Sequence, residues 1–306
     1  MSPTDSAELP HRSGFVCFVG RPNTGKSTLT NALVGQKVAI TSSRPQTTRH
    51  TIRGIVHRPA AQLVLVDTPG LHRPRTLLGQ RLNDLVRDTY SEVDVIGLCV
   101  PADEQIGPGD RWITEQLRTV APHTPVVGVV TKIDKVPKAR LLSQLVAVST
   151  LLGPDAEVVP VSAVRHEQVD VLLDVLAATV PPGPPLYPAD ALTDESSTTM
   201  MAELIREAAL EGVRDELPHS LAVVIEEVLP RAGRDDFLDV HAFLYVERPS
   251  QKSIVIGKGG QRLRAVGTQA RVQIEALLGR RVYLDLHVKV AKDWQRDPKQ
   301  LGKLGF

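Results

Sequence analysis

The sequence predicts a doubly wound α/β domain followed by a smaller α+β domain, and three observations carry that reading. From Phe15 to Val180, short β-branched apolar runs alternate with helix-length segments, the pattern of parallel strands joined by crossover helices. Val126–Val130 shows no polar alternation, as expected of a strand covered on both faces. The run Pro181-Pro182-Gly183-Pro184-Pro185 then admits neither a helix nor a central strand, which sets a boundary there. A chain of 306 residues suits two domains at roughly 150 residues each. The expected division is a flexible tail over 1–13, a first domain over 14–180, a Pro-rich linker over 181–196 and a second domain with a basic tail over 197–306.

In the first domain the expected strands are Phe15–Val19, Thr51–Val56, Gln62–Val66, Val93–Val100, Val126–Val130 and Val158–Pro160. Beyond the prolines, Ser197–Glu216 places Met201, Leu204, Ile205, Ala208 and Ala209 on one helical face. Strands Leu221–Val228 and Phe237–Val246 follow around Gly233. Next come a short helix near Gln251–Ile256, a glycine cluster, a helix over Gln261–Leu278 and a strand Val282–Val290.

Composition removes several functions. A net charge of +1 gives the whole chain no long-range pull on nucleic acid or acidic lipid, so any polyanion site must be local. Residues 190–247 carry 14 acidic and 4 basic side chains, whereas 252–303 carry 12 basic and 4 acidic, which locates that site. Cys17 and Cys99 lie in apolar runs without metal-type spacing, consistent with reduced buried thiols of a cytosolic protein and against structural zinc or a disulfide framework. The polar start Met1–Gly14 lacks a secretory apolar stretch, and no apolar run reaches the ~20 residues that span a bilayer. Five Phe, two Trp and four Tyr argue against RNA recognition by ring stacking, which leaves modes that use glycine backbone.

Gly20-Arg21-Pro22-Asn23-Thr24-Gly25-Lys26-Ser27 fits GxxxxGK[ST] between a strand and a helix expected over Lys26–Val34, with Thr28 next to it. Glycines let successive amides converge on phosphate, the helix start adds positive potential, Lys26 neutralises β/γ oxygens and Ser27 is placed to ligate magnesium. Asp67-Thr68-Pro69-Gly70 ends an apolar strand, where the carboxylate can serve magnesium and the Gly70 amide the γ-phosphate. Thr131-Lys132-Ile133-Asp134 has the pattern of a base-reading element: a carboxylate such as Asp134 accepts from both N1–H and the 2-amino group of guanine, and adenine offers no such pair. Ser162-Ala163 fits the short backbone loop that supports the guanine O6. Together they point to GTP or GDP with Mg2+.

Taken as GRPNTGKS, SSRPQTTRH, DTPGL, TKID, VSA and IGKGG, these elements resemble the Era family of bacterial ribosome-assembly GTPases, within the TrmE-Era-like class, from Gly14 onward. The pairing of a P-loop GTPase domain with one C-terminal KH domain of type II is the specific part of the resemblance, and Glu216-Leu217-Pro218-His219-Ser220 also looks like that family. The resemblance implies that Thr48, with Thr47 as rival, serves magnesium. It implies that Asn23 holds a potassium ion in the role of an arginine finger. Leu71 stands where other switches carry a water-orienting glutamine, which implies slow hydrolysis. Thr131 departs from the commoner Asn and puts nucleotide affinity, though not base selectivity, in question.

Gly257-Lys258-Gly259-Gly260 fits the KH G-x-x-G loop, with Ile254, Ile256 and Leu263 as an apolar groove and Arg262 and Arg264 extending a positive rim. The resemblance implies small-subunit (16S-type) ribosomal RNA near its 3′ end, the 30S subunit precursor as partner, a monomer, a cytoplasmic location and peripheral contact with the cell membrane. Two other readings stay open on the residues alone: a metabolic P-loop kinase or ATPase, and a non-hydrolysing RNA-binding structural protein.

Overall fold

A computed structural model describes residues 10–41, 48–49, 51–69, 76–212 and 220–306, with the side chain of Asp235 left aside. By their contacts these residues form two compact units. The first lies within Met1–Ala39, Thr51–Leu71 and Leu85–Asp194, and the second within Ile40–His50, His72–Asp84 and Glu195–Phe306, as far as those ranges are described.

The first unit is built on a six-stranded sheet. Its elements are β1 (Arg12–Val19), α1 (Lys26–Val34), β2 (Ile52–Arg58), β3 (Ala61–Asp67), α2 (Leu77–Glu92, of which the part up to Asp84 groups with the second unit), β4 (Val95–Pro101), α3 (Pro108–Val120), β5 (Val126–Thr131), α4 (Lys138–Leu152), β6 (Val158–Pro160) and α5 (Val169–Thr179). Strand order is β2-β3-β1-β4-β5-β6. All neighbours run parallel except β2, which lies antiparallel to β3 at the edge. That corrects the expectation of parallel strands throughout: only Pro59 and Ala60 separate β2 from β3, and so short a connection permits a hairpin and forbids a crossover.

Every residue of β3 and β4 is buried, because helices cover both faces. Leu29 and Leu33 of α1 and Leu172 and Leu176 of α5 pack with Val16, Phe18, Leu63 and Leu65 on one face. Val86 and Tyr90 of α2, Ile113 and Leu117 of α3 and Val148 of α4 pack with Cys17, Val19, Ile96 and Leu98 on the other. Both cysteines are free thiols in this core, and burial pushes each up to about 12.

The prolines after α5 do not leave this unit at once. Gly183 N–H donates to the His11 carbonyl (2.9 Å). The buried Gln62 carboxamide accepts from the N–H groups of Leu186 (2.6 Å) and Tyr187 (2.9 Å) and donates to the Tyr187 carbonyl (2.8 Å). A side chain thus supplies the pairing that proline denies the backbone.

The second unit contains α6 (Ser197–Leu210), β7 (Ala222–Arg231), β8 (Arg234–Val246), α7 (Pro249–Ile256), α8 (Gln261–Leu278), β9 (Arg281–Val290) and a short α9 (Pro298–Lys303). β8 is central, antiparallel to β7 and parallel to β9. Met201, Leu204, Ile205 and Ala208 of α6, with Val266, Ala270 and Ile274 of α8, cover the side of the sheet that presents Val240, Ala242 and Leu244. The order α-β-β-α-α-β is that of a type II KH domain. α6 begins at the Ser196 cap, whose hydroxyl accepts from Thr199 N–H (3.1 Å). It ends at Leu210, six residues earlier than the sequence predicts: Glu211 turns extended and Gly212 takes φ +69°, the left-handed region.

Candidate nucleotide and nucleic-acid sites

Within the first unit, the motif residues follow the C-terminal ends of neighbouring parallel strands. The turn after β1 carries Gly20 to Ser27, β3 ends in Asp67, β5 runs into Thr131–Asp134 and β6 is followed by Ser162. In open parallel sheets this is the edge at which ligands bind, beside the strand where the order reverses, here β1.

The first turn is fixed by contacts that admit only glycine at Gly20. Its φ is +154°, and an added Cβ would stand 2.6 Å from the Cys99 carbonyl oxygen. Asn23 (φ +64°) and Gly25 (φ +95°) complete the turn, and Gly25 caps α1 without a side chain. No acidic residue enters the first turn of α1, so the helix start presents amides and positive potential. Lys26 is buried, its ammonium donating to the carbonyls of Gly20 (3.1 Å) and Arg21 (3.0 Å). Burial pulls it below the ordinary lysine range, with Asp67 opposing. Thr24 is buried, Pro22 and Thr28 half-buried and Asn23 exposed.

Side chains from α3, the segment before it and β5 brace this turn. Arg21 reaches Asp110 (2.8 Å) and Glu104 (2.9 Å), and Asp110 also accepts from Gly107 N–H (2.8 Å) at the start of α3. Asp110 is legible as a first-turn acid after Pro108; its second duty is not. Thr131 Oγ1 donates to the Thr24 carbonyl at 2.6 Å. Replacing the commoner asparagine therefore keeps a hydrogen bond from β5 to the phosphate turn.

Ser27 Oγ donates to Asp67 Oδ2 at 2.7 Å, bringing together a hydroxyl and a carboxylate, the hard oxygen donors that magnesium takes. Thr68 and Pro69 are buried beside them; Gly70 lies outside the described residues. Lys132 takes φ +57° and turns the chain into the single 3₁₀ turn that holds Asp134. Ser162 Oγ donates to Asp134 Oδ1 at 2.6 Å and accepts from Arg165 N–H (3.2 Å), so Ser162 aims the carboxylate as well as supplying backbone; Ala163 follows, half-buried. Thr48 is buried and groups with the second unit, whereas Thr47 is outside the described residues.

The second unit presents a glycine turn of another kind. Gly257 (φ +73°), Gly259 (φ +58°) and Gly260 (φ +74°) join α7 to α8. A Cβ on Gly257 would stand 2.7 Å from the Arg262 Cβ, whereas nothing lies within 4 Å of one on Gly259 or Gly260. Lys258 and Arg264 are exposed and Ile256 is half-buried. Arg262, read from the sequence as part of the rim, turns back and donates to the carbonyls of Ala209 (3.2 Å) and Glu211 (2.7 Å), closing the end of α6. Ile254 is 53% exposed, which leaves apolar surface beside the turn.

The fold and these sites define a P-loop GTPase joined to a KH domain. A family model described as 50S ribosome-binding GTPase matches residues 15–132, and one described as KH domain matches 216–295. GTPase Era from Mycobacterium sp. (strain JLS) is 78% identical over 295 residues, covering 96% of this chain and 99% of that one. A crystal structure of Era in complex with MgGDPNP and nucleotides 1506–1542 of 16S ribosomal RNA superposes with a TM-score of 0.92 at 37% identity, over 96% of this chain and 99% of that one. An Aquifex aeolicus Era structure with GDP and AlF4− gives the same values. The chain belongs to the GTPase Era family, and its activity is hydrolysis of GTP to GDP and phosphate.

Proposed function

We propose that this chain is a slow GTP switch that binds the 3′ end of small-subunit ribosomal RNA through its KH unit and acts in maturation of the 30S subunit. The supporting observation is the pair of sites itself: four nucleotide-type loops following parallel strands at one edge of a single sheet, and a basic G-x-x-G turn with open space over its last two glycines. The Era relative holding MgGDPNP and a 16S ribosomal RNA segment supports the same ligands here. In this reading Ser27, Asp67 and Thr48 hold magnesium, which supplies positive charge to the β/γ oxygens. Lys26 and the amides from Asn23 to Thr28 receive the phosphates, Asp134 reads guanine, Ser162 and Ala163 support its O6, and Asn23 holds potassium. Gly257, Lys258, Gly259, Gly260, Ile256 and Arg264 meet RNA, and Arg262 acts by fixing the end of α6. The protein works as a cytoplasmic monomer with peripheral membrane contact. No helix among the described residues is long and apolar enough to cross a membrane.

The test is RNA affinity of the full chain loaded with a non-hydrolysable GTP analogue or with GDP. Useful switching requires a coupling of about 1–3 kcal/mol, or roughly 5–150-fold, with tighter binding expected for the analogue. By linkage RNA must raise analogue affinity by the same factor. Equal RNA affinities would reduce the protein to two tethered binding modules.

A further inference from the structure

Arg21 is the residue after Gly20 in the phosphate turn, and its backbone and side chain face different partners. Its carbonyl receives the Lys26 ammonium (3.0 Å) and the Thr24 hydroxyl (3.0 Å), so the place of this one peptide sets where two residues of the turn lie. Its guanidinium leaves the turn altogether. Nε donates to Asp110 Oδ1 at 2.8 Å, and Nη2 pairs with Glu104 Oε2 at 2.9 Å. Asp110 is 1% exposed and Glu104 45%, so the first contact is the enclosed one. A buried carboxylate needs partners, and Asp110 has one on each oxygen, because Oδ2 accepts from the Gly107 N–H (2.8 Å) just ahead of α3. The Arg21 stem crosses the backbone of α3 so closely that a Cβ on Gly109 would stand 2.9 Å from Arg21 Cδ. Burial alone would lower the guanidinium, but Asp110 and then Glu104 outweigh it and hold it above the ordinary arginine range. The far end of this contact is fixed as well. Between β4 and α3, Arg140 donates to the carbonyls of Ala102 (3.2 Å) and Asp103 (2.9 Å), and the buried Gln144 donates to that of Glu104 (3.0 Å). The Ala102 N–H donates to the Thr131 carbonyl at 2.8 Å, which joins the same segment to the base-reading turn.

We propose that Asp110 is a positioning residue for nucleotide binding: through Arg21 it holds the phosphate turn, before any ligand arrives, in the arrangement that receives the phosphates. The inference rests on the reading of Gly20–Ser27 as the phosphate site. A turn that must be ordered as the ligand binds subtracts that ordering from affinity, and a turn tied beforehand to a packed helix and sheet avoids it. A second effect is electrostatic. Without Arg21, Asp110 is left as an uncompensated buried carboxylate within one side chain's reach of a turn that takes anions. The turn cradles the phosphates that GDP and GTP share, so breaking the tie should weaken both nucleotides alike. At saturating GTP the ligand itself orders the turn, so the tie acts on binding and not on turnover.

The experiment measures affinity of the full chain for GDP and for guanylyl imidodiphosphate, both with magnesium, together with KM and kcat for GTP. The variants are Arg21→Ala, Arg21→Lys, Asp110→Asn, Glu104→Gln and Arg21→Ala combined with Asp110→Asn, with Lys26→Ala as control. Arg21→Ala should weaken both nucleotides and raise KM about tenfold while kcat stays within about twofold. A role confined to stability would instead lower the melting temperature and leave KM of the folded protein alone. Arg21→Lys keeps the charge without the fork and should recover part of the loss. Asp110→Asn, whose amide oxygen can accept from Gly107 or from Arg21 but not serve both as the carboxylate does, should also cost about tenfold. Glu104→Gln changes the half-exposed arm and should cost about twofold. The combined variant should bind no worse than Arg21→Ala, since the amide then serves Gly107 and leaves no buried charge. Losses that multiply in the combined variant, or parental affinity in Arg21→Ala and Asp110→Asn, would overturn the tie. If Arg21→Ala does not fold, parental KM in both Arg21→Lys and Glu104→Gln overturns it equally. Should Lys26→Ala lose both nucleotides while the Arg21 and Asp110 variants bind as the parent does, the phosphate site stands and only the tie falls. A parent-like Lys26→Ala removes the site, and the inference with it.

Discussion

Each unit carries a glycine-rich turn at the head of a helix, and the two differ in what surrounds the glycines. Around Gly20 the turn is enclosed: the Cys99 backbone would lie 2.6 Å from an added Cβ, Lys26 is buried and Thr131 holds the Thr24 carbonyl. Around Gly259 and Gly260 there is open space, and Lys258 is exposed. An enclosed turn keeps its amides in one arrangement and suits a small ligand taken in whole. An open turn suits a long polyanion that only passes over it, for which close approach of the backbone matters more than enclosure. Gly20 of the first turn is therefore required by the protein's own atoms and Gly25 by its dihedral angle, and the last two glycines of the second turn by dihedral angle and by the ligand.

Substitutions can break that distinction. Gly20→Ala should have the largest effect, weakening GTP and GDP by about 100-fold or more, roughly 3 kcal/mol, because a backbone carbonyl cannot move aside as a side chain can. Gly259→Ala meets no atom, so it should leave the melting temperature near that of the parent after a strain of only about 1 kcal/mol. Nucleotide titration and thermal melting check the pair, and a Gly20→Ala protein with parental nucleotide affinity would end the comparison.

Asp134→Asn sharpens it from the base side. Turning one acceptor into a donor should cost GTP about 50-fold, within the range of a lost bidentate base contact, and should improve xanthosine triphosphate, whose carbonyl replaces the guanine amine. Competition between the two triphosphates reads this directly. Parental GTP affinity would remove Asp134 from its base-reading role.

Gly259→Asp with Gly260→Asp places two carboxylates on the open turn. RNA affinity should fall about 30-fold, roughly 2 kcal/mol, with GTP binding unchanged and circular dichroism showing the fold intact. Unchanged RNA affinity in the folded variant would falsify the loop assignment. The smallest effect is expected from Thr131→Val, which deletes one bond to the enclosed turn. Both guanine nucleotides should weaken about fivefold, or about 1 kcal/mol, with base selectivity untouched. A loss confined to GTP would show that the brace responds to the γ-phosphate and is not merely part of the frame.

Much of this was legible along the chain, and the reason is local. A phosphate turn, a base-reading Asp134 and a G-x-x-G turn are each specified within about eight residues, because glycine dihedrals and the following helix start set the backbone there. The helix over Gln261–Leu278, flanked by the left-handed Gly260 and Gly279, has the predicted bounds for the same reason. Tertiary structure alone decided what depends on partners far off in sequence. Thr131 finds Thr24, Ser162 aims Asp134, Arg262 returns to the end of α6, and Gln62 pairs with the backbone of Leu186 and Tyr187 just after the proline run. Arg49 is the extreme case, since a charged residue in a Thr-rich loop reads as solvated until Leu221, Trp294 and Phe306 are brought around it. Burial of a charge is a property of everything packed against it, and no window of neighbouring residues contains that information.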